Sequence, residues 1–486
     1  MGLKIYNSLS RQLEEFSPLT EGHVSMYSCG PTVYDYIHIG NARTALVTDI
    51  IRRYLTYKGY VVKLVQNLTD IDDKIIARAQ TLGTSPIQLA QANGEAYFED
   101  TQRLGIQPAD VHPKATEHIP EMINLIQTLI DKGAAYIVDG SVYYRVNSFN
   151  EYGKLSRRKP EDLLAGARVE VDERKEDPRD FDMWKAAKPD EPYWDSPWGR
   201  GRPGWHIECS CMAMKHLGET IDIHAGGEDL LFPHHENEIA QSELATGKPF
   251  ARYWVHVAFL KIDGARMGKS EKNFIFLRDA LDKYPAEVIR HFLISAHYRH
   301  PLDYSLESLQ KSESALKRLR NCLEALKKYE QETPEITDEH NSTSQDAAET
   351  DTHLLSAIKT MQAQFTDAMD TDFNTAQAMG SIFSLVSQVN RSLGTSNGIS
   401  DQIFAQAYKV LSETCQVLGI YTMNAQDVAG TAEILNPLLE LLLEIRQNAR
   451  DQKDWDTSDK IRDQLKQLNI EIQDTHEGST WKFLSL

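Results

Sequence analysis

The sequence has few of the features that mark secreted or membrane proteins. Only five cysteines occur among its 486 residues, too few for a disulfide framework in a chain of this length, so we expect reduced thiols. No apolar run approaches the roughly 20 residues needed to cross a bilayer, and the N-terminal residues show no charged start followed by an apolar core. The sequence therefore predicts a cytoplasmic protein that does not enter a membrane.

Basic residues are also in the minority. The formal net charge is −19, which argues weakly against a nucleic-acid partner, although such a partner needs only a local basic patch. Residues 332–351 contain no lysine or arginine, and we expect them to form a flexible acidic linker. The remaining composition is that of ordinary globular proteins, and the length is sufficient for about three domains.

The order of the expected elements predicts an α/β protein. A strand–helix–strand pattern over residues 24–66 is typical of a parallel sheet with right-handed crossovers. Two later strands and an almost wholly helical pattern after residue 304 complete the arrangement. We predict a Rossmann-like, doubly wound catalytic domain at 1–311 with an insertion at about 115–203, a helical bundle at 312–428, and a small α+β domain at 429–486.

Three finer expectations concern the first half of the chain. Helical periodicity fills residues 72–132. Asp139-Gly140 between two apolar segments predicts a β-hairpin. Residues 166–203 are rich in proline, glycine and charge, and we expect them to form loops within the insertion.

Two short segments far apart in sequence carry the first chemical signal. The first places His38, Gly40 and Asn41 where a strand turns into a helix, and the second places Lys269 and Ser270 on a short loop. Imidazole, amide and ammonium groups can stabilise the negative charge that builds on phosphates when ATP activates a carboxylate. The helix N-terminus adds N–H donors, and the glycine lets the backbone approach a nucleotide. A lone His38 would be a surface histidine; the ordered pair of segments favours a phosphate site.

A second signal is a set of metal-ligating side chains. Cys29 ends the first predicted strand, Cys209 lies in the segment that begins at Gly204, and His234 and Glu238 are four residues apart, on one face of a predicted helix. Two thiolates, an imidazole and a carboxylate suit tetrahedral zinc. The residues alone do not decide the set, since each cysteine also suits a buried apolar site and four neighbours compete for the same roles: His206, Cys211, His235 and Glu236.

The segments beginning at Gly30, Asn67, Gly204 and Gly226 together resemble the cysteinyl-tRNA synthetases, over essentially the whole chain. This is a family of class I aminoacyl-tRNA synthetases, whose signatures His-Ile-Gly-His and Lys-Met-Ser-Lys-Ser are similar to the two short segments above. The departures are Asn41, Arg266 and Gly268, which replace a histidine, a lysine and a serine.

The resemblance implies that Cys29, Cys209, His234 and Glu238 hold one Zn²⁺ per chain, with Cys211 as a bystander. A metal that takes the substrate sulfur as thiolate would separate cysteine from serine, alanine and valine more sharply than an apolar pocket. Such a pocket yields only about 1–3 kcal/mol per methylene.

The resemblance implies three further groups of site residues. They are the ATP-binding residues Gly226, Gly227 and Asp229 beside the two signatures, the thiol-pocket residues Thr69 and Trp205, and the anticodon-binding residues Arg450, Trp455, Asp459 and Asp474. Taken alone, a Gly-Gly pair is a plain turn and Thr69 a helix cap. Trp455 would likewise be the packed side of an amphipathic helix.

The activity implied by the resemblance is ligation of L-cysteine to tRNA(Cys) through a cysteinyl-adenylate, with ATP and Mg²⁺, by a cytoplasmic monomer. Three alternatives remain. One is a ligase that passes the adenylate to a small amine, and another is a non-catalytic tRNA-binding relic. The third is a zinc hydrolase with Glu236 or Glu238 as its base.

Overall fold

The computed structural model describes most of the chain. The described residues are 2–158, 173–267, 273–330, 345–394, 400–420, 439, 441–452, 454–467, 470–475 and 478–483. The chain divides into two compact units, Met1–Tyr421 and Thr422–Leu486. Within the described ranges, no helix is both long and apolar enough to span a membrane.

A four-stranded parallel sheet organises the first unit. Its order is β10-β9-β3-β4, with β3 at His23–Ser28, β4 at Val61–Gln66, β9 at Ile221–Gly227 and β10 at Ala251–Val257. β3 pairs in parallel with both β4 and β9, so the strand order reverses between β3 and β9. In doubly wound sheets, ligands bind at such a reversal, beyond the carboxyl ends of the strands. The predicted fold class is confirmed.

Helix α1, Ile39–Tyr57, makes the crossover from β3 to β4. Its inward positions recur with the helical period: Ala42, Leu46, Ile50 and Tyr54 are all at most 1% exposed. Burying each large apolar side chain stabilises the fold by about 1.5–3 kcal/mol. The helix therefore starts at a fixed place beside the end of β3.

Residues 72–132 are less helical than their periodicity predicts. They form α2 at Asp73–Leu82, α3 at Pro86–Arg103 and α4 at Ile119–Asp131. Between α3 and α4 the chain runs beside β4, where Val111 and Lys114 form bridges to Val65 and Leu68. Gly105 takes a positive φ of 76° after α3, which ends that helix.

The insertion contains a four-stranded antiparallel sheet in the order β5-β6-β7-β8. The hairpin of β5, Ala135–Val138, and β6, Ser141–Tyr144, confirms the turn predicted at Asp139-Gly140; both turn residues have positive φ.

The expectation of loops over 166–203 is wrong in part, because β7, Phe181–Ala186, and β8, Gly201–Pro203, extend the hairpin. Trp184 of β7 is fully buried, so the core of the insertion overrides the local composition. Residues 166–172 lie outside the described residues.

Of the helices that follow the insertion, those from residue 277 onward share one apolar core with the parallel sheet, and the two before residue 247 pack in two other apolar clusters. Their bounds are α5 Trp205–Leu217, α6 Glu236–Thr246, α7 Leu277–Lys283, α8 Ala286–Leu293, α9 Leu306–Lys327, α10 Gln345–Asp370, α11 Thr375–Gly394 and α12 Asp401–Leu418. Shorter strands complete the unit: β1 Lys4–Asn7, β2 Gln12–Glu15, β11 Leu260–Ile262, β12 Ala265–Arg266 and β13 Leu302–Tyr304.

Two of the sequence-based expectations for the bundle can be placed on these helices. The predicted boundary between residues 311 and 312 falls inside α9, and the domain boundaries stay a prediction. Residues 345–351 of the expected linker belong to α10, and 332–344 lie outside the described residues.

The second unit is a small α+β structure. It contains a helix at 441–451, here α13, then α14 at Trp455–Gln467 and a hairpin of β14, Ile470–Thr475, with β15, Gly478–Phe483. Leu439 and Leu465 form its small core, with Leu442, Ile461 and Ile472 packed against them.

Candidate active site

A cleft of about 370 Å³ opens at the carboxyl ends of β3 and β9. This is the reversal point of the sheet, where a ligand is expected. Residues from both sequence signals line it, namely His38, Gly40 and Asn41 of the first and Cys29 of the second. Three residues that the resemblance implied also line it: Trp205, Gly227 and Asp229. Residues 257–260, at and just after the end of β10, form another wall of the cleft together with Met267.

The first signature caps helix α1. Nδ1 of His38 accepts hydrogen bonds from the backbone N–H groups of Gly40 at 3.1 Å and Asn41 at 3.2 Å, and Oδ1 of Asn41 accepts the His38 N–H at 3.3 Å. These reciprocal bonds form a capping box. Because Nδ1 accepts, a neutral ring carries its proton on Nε2, where it can donate.

Gly40 lies against the second signature. A Cβ at this position would come within 2.7 Å of Cε of Met267 and 3.0 Å of the His38 ring. The absence of a side chain therefore lets Met267 pack on the start of α1. Lys269 and Ser270, predicted to contact phosphates, lie outside the described residues, as does Gly268.

The four predicted metal ligands come together beside the cleft, which Cys29 lines; they are called the quartet below. Their donor atoms all lie within 4.8 Å of one another. The Cys29 and Cys209 sulfurs are 3.7 Å apart, the Cys29 sulfur is 3.5 Å from Oε1 of Glu238, and Nε2 of His234 is 3.1 Å from the same oxygen. Two thiolates bound tetrahedrally at about 2.3 Å would be about 3.8 Å apart, so these residues fit zinc.

A second set of donors overlaps the quartet. Cys29 and Glu238 are also within 4.8 Å of His224 and His235. Both of these histidines are fully buried, and each bonds to another protein group: Nε2 of His224 to Oε2 of Glu238 at 2.8 Å, and Nδ1 of His235 to Nε2 of His256 at 2.8 Å. His234 also bonds to Glu238, but its ring lies against the cleft residue Trp205, tilted by 32° with the ring centroids 4.2 Å apart. The quartet is therefore the set next to the cleft.

Charge in the quartet is divided unevenly. Burial by itself would raise the pKa of Glu238, but His224 and His234 hold that pKa well below its usual range. Burial likewise opposes the charge on His234, yet Glu238 and Cys209 raise its pKa to about 10.

The two thiols differ as well. The hydrogen bond from Cys29 lowers the pKa of Cys209 to about 6, whereas burial raises the pKa of Cys29 well above its usual value. These shifts favour a thiolate at Cys209 and a carboxylate at Glu238, the charged forms that bind metals, and protons on His234 and Cys29 that metal binding would release.

The competing residues have other partners. Nδ1 of His206 lies 3.0 Å from Nδ1 of His234 and so stands behind that ligand. Glu236 accepts three backbone N–H groups, from Gly153, Leu155 and Ser156, at 2.8–3.3 Å. Cys211 lies in the core of the insertion, where burial raises its thiol pKa to about 12.

Comparison with known proteins agrees with this geometry. Residues 15–314 match the family model of the class I (C) tRNA synthetase catalytic domain, and residues 364–422 match that of the DALR domain. Cysteine–tRNA ligases of Carboxydothermus hydrogenoformans and Caldicellulosiruptor saccharolyticus are each 50% identical to the chain. The first match covers 99% of this chain and 100% of the relative, and the second 98% and 99%.

The chain belongs to the cysteine–tRNA ligases. Among solved structures, methionyl-tRNA synthetase of Mycobacterium tuberculosis is similar, with a TM-score of 0.57 and 15% identity over 87% of this chain and 94% of that one. A leucyl-tRNA synthetase of Agrobacterium radiobacter has a TM-score of 0.59 and 11% sequence identity, over 84% of this chain and 86% of that one. At such identities the likeness shows the shared class I fold alone.

The two predicted thiol-pocket residues of this cysteine–tRNA ligase differ in setting. Trp205 lines the cleft at the start of α5, where Nζ of Lys74 is 5.8 Å from the centroids of both the Trp205 and Tyr34 rings. Thr69 is buried beneath the cleft and donates to Oε2 of Glu208 at 2.8 Å. It caps no helix, since α2 is capped by Asp72.

The glycine pair at the end of β9 has two distinct packing roles. A Cβ at Gly226 would come within 2.6 Å of the His235 ring, and one at Gly227 within 2.4 Å of Oδ1 of Asp229. The absence of a side chain at Gly226 thus lets the His235 ring pack closely against the end of β9. Gly227 and the exposed Asp229 line the cleft itself.

The predicted anticodon residues lie in the second unit. Trp455, at the start of α14, is 57% exposed, so it is not the packed core aromatic of the simpler interpretation. Asp459 is exposed and pairs with Arg462 at 3.0 Å, and Arg450 is half-buried in α13. Asp474 lies in β14, and its side chain is outside the described part.

Residues that the sequence reasoning did not assign surround the ligands. His224 holds Glu238, and Oδ1 of Asn67 lies 3.7 Å from the Cys209 sulfur. His256 links His235 to the hydroxyl of Ser8, at 2.8 Å on each side. The available signal was position, because both histidines lie on strands whose carboxyl ends border the cleft, His224 in the middle of β9 and His256 one residue before the end of β10.

Proposed function

We propose that the chain ligates L-cysteine to tRNA(Cys) in two steps through cysteinyl-adenylate. In the first, a carboxylate oxygen of cysteine attacks the α-phosphorus of ATP, and pyrophosphate leaves. In the second, the 2′-hydroxyl of the terminal tRNA adenosine attacks the carbonyl carbon, and AMP leaves. The placement of a metal-ligating quartet beside a capped helix N-terminus in one cleft carries this proposal.

The phosphate side of the cleft is assigned to the signatures. His38, held by its cap with a donor on Nε2, and the amide of Asn41 are proposed to contact the phosphates. Lys269 and Ser270 would add charge and a hydroxyl, with Mg²⁺ accompanying ATP. Gly226, Gly227 and Asp229 are proposed to take the ribose.

The cysteine side is assigned to the quartet. Cys29, Cys209, His234 and Glu238 would hold one Zn²⁺, which when bound supplies a soft acid that favours the substrate thiolate over a hydroxyl. His206 orients His234 through the contact between their Nδ1 atoms, and His224 orients Glu238 through the hydrogen bond between Nε2 and Oε2. Trp205 and Thr69 are proposed to shape the pocket around the side chain.

The rival activities differ in a single assay, cysteine-dependent exchange of pyrophosphate into ATP, run with and without tRNA. We expect exchange with cysteine and not with serine, and charging only when tRNA(Cys) is added. Exchange without tRNA charging would indicate a ligase for a small amine, and no exchange at all would refute the proposed activity. The hydrolase has little support, because Glu236 and Glu238 are both fully engaged in hydrogen bonds.

We also propose that the enzyme acts as a monomer in the cytoplasm.

A further inference from the structure

Arg43 is a buried cation with an unusual set of partners. It follows the first signature on α1 and is 0% exposed. Its guanidinium donates to four backbone carbonyls: Nη1 to Ala258 at 2.8 Å and Phe259 at 3.5 Å, and Nη2 to His297 at 3.2 Å and His300 at 2.9 Å. Within the described ranges it makes no ion pair with a carboxylate, and its Nε has no partner.

Such an arrangement is costly unless it holds something in place. A buried charge without a counter-charge loses hydration that carbonyl dipoles only partly replace. Burial accordingly lowers the pKa of Arg43 to about 10, which still leaves the group charged near neutral pH. An apolar residue would fill the same space without this penalty, so the planar fork of donors is the feature that distinguishes arginine here.

The carbonyls bound by Arg43 belong to two segments, one of which lines the cleft. Ala258 and Phe259 are in the cleft wall after β10, and His297 and His300 are in the turn between α8 and β13. The segments also bond to each other, since the Ala258 N–H donates to Tyr298 O at 2.9 Å. Arg43 thus ties both segments to the helix that carries the first signature.

The wall held by Arg43 continues into the second signature. Leu260 opens β11, and its carbonyl accepts the N–H of Met267 at 3.1 Å. Met267 in turn packs against Gly40. On its other side the wall begins at Val257, which pairs in register with Gly227 of the proposed ribose site. Within the described residues, none of the hydrogen bonds made by the four carbonyls involves a member of the quartet.

We propose that Arg43 is a positioning residue that fixes the wall at 257–260 against α1, and so sets the nucleotide half of the cleft and the base of the second signature. The inference rests on the proposed function, because it assigns this half of the cleft to ATP. Arg43 itself lines no part of the cleft and acts through the backbone it holds.

The test compares Arg43→Lys and Arg43→Met with Arg290→Lys in pyrophosphate exchange. Lysine keeps the charge but replaces the fork with a single ammonium group, so we expect the KM for ATP to rise about tenfold, as for the loss of one charge-assisted hydrogen bond. The KM for cysteine and the zinc content should not change. Arg43→Met should show a larger rise; if it does not fold, Arg43→Lys decides the question.

Arg290 serves as the control, because it is also a fully buried arginine that binds backbone carbonyls, of Leu104, Gly105 and Leu418, and it does not line the cleft; unlike Arg43, it also pairs with a carboxylate, that of Asp49 at 2.8 Å. Its lysine variant should lower the melting temperature without changing the KM for ATP. An unchanged KM for ATP in Arg43→Lys, an equal rise for cysteine, or the same rise in Arg290→Lys would overturn the inference. Absence of exchange in the wild type would instead refute the proposed function.

Hydrogen exchange gives an independent measurement on the same folded variant. In Arg43→Lys, backbone amides of 258–267 should exchange faster than in the wild type, whereas those of β4 should not. Equal protection of 258–267 in the two proteins would contradict a positioning role.

Discussion

The cysteines show how environment separates residues of one type. The sulfur of Cys209 lies 3.7 Å from that of the cleft residue Cys29, and the hydrogen bond from Cys29 lowers the pKa of the Cys209 thiol to about 6. Cys211, two positions along the same helix, lies in the apolar core of the insertion. Only the first is placed and charged for metal binding.

We therefore expect Cys209→Ser to lose zinc and cysteine activation together, because a hydroxyl is a poor zinc ligand. Cys211→Ala should keep both activities and serves as the matched control. Zinc per chain by elemental analysis and pyrophosphate exchange are the measurements. A variant at Cys211 that loses zinc, beside a Cys209 variant that retains it, would show that the assignment is wrong.

His38 combines two roles that substitution can separate. Its Nδ1 caps α1, and its ring lines the cleft. Asparagine is a good N-cap but lacks the imidazole, so His38→Asn should keep stability and lower the activation rate about 100-fold or more. His38→Ala should lose the same activity and also about 1 kcal/mol of stability.

Thermal unfolding and single-turnover adenylate formation would measure these two effects of His38. The structural interpretation alone would be supported if His38→Asn were fully active. In that case the cap, and not the imidazole, would be what the reaction needs.

At the residue scale, the sequence singled out four candidate ligands that the structure brings together, but not the residues around them, and the role of the four as metal ligands stays a prediction. The quartet could be chosen because a family resemblance singled it out among residues with equally suitable side chains. The supporting residues were not predictable in the same way, since His206, His224 and His256 bond to ligands or their neighbours through contacts 14 to 28 positions away in the chain. Lys269 and Ser270 stay a prediction.

At the scale of elements, the local sequence pattern predicted the secondary structure correctly where one face of an element is buried, and wrongly where pairing with a distant strand determines the structure. The helix between the first two strands of the sheet and the Asp139-Gly140 turn were predicted correctly from the sequence. The strand β7 was missed because its neighbours in sequence are polar and its partners are in the distant hairpin. The extended stretch between α3 and α4 was likewise missed, since its partners are on β4.

Helices are joined to one another at a buried ion pair. Asp49 of α1, 1% exposed, accepts Nη2 of Arg290 from α8 at 2.8 Å and Nε of Arg53 at 2.8 Å. Arg290 also binds Leu418 O, the last residue of α12, at 3.0 Å. A Cβ at the following Gly419 would come within 2.1 Å of this guanidinium, so the helix end is fitted closely around it.

Asp49→Asn should therefore destabilise the first unit by about 3 kcal/mol or more, because it leaves a buried guanidinium without its counter-charge. Urea unfolding followed by tryptophan fluorescence would measure the change. Glu307→Gln, which removes the exposed pair with Lys311 on α9, is the control and should have no measurable effect. Equal stability of Asp49→Asn and the wild type would show that the pair does not hold these helices together.

At the scale of the whole molecule, charge is a poor guide and organisation a better one. A net charge of −19 argued weakly against tRNA, yet the chain belongs to a family of tRNA ligases. The separation into two compact units was more informative, because the cleft lies wholly in the first and the exposed Trp455 in the second. This organisation suggests that tRNA recognition and cysteine activation can be disabled independently.

The last prediction tests that independence. Trp455→Ala should weaken tRNA charging and leave tRNA-free pyrophosphate exchange intact, because its half-exposed ring is available to stack on a splayed base. Losing one stacking contact should cost about 1–3 kcal/mol in tRNA recognition, and the preference for a cysteine anticodon should shrink by a matching factor. Leu441→Ala, at an exposed apolar position of α13 in the same unit, controls for a general loss of stability. If charging of a tRNA with the wrong anticodon, relative to the right one, is the same in Trp455→Ala as in the wild type, this aromatic ring does not read the anticodon.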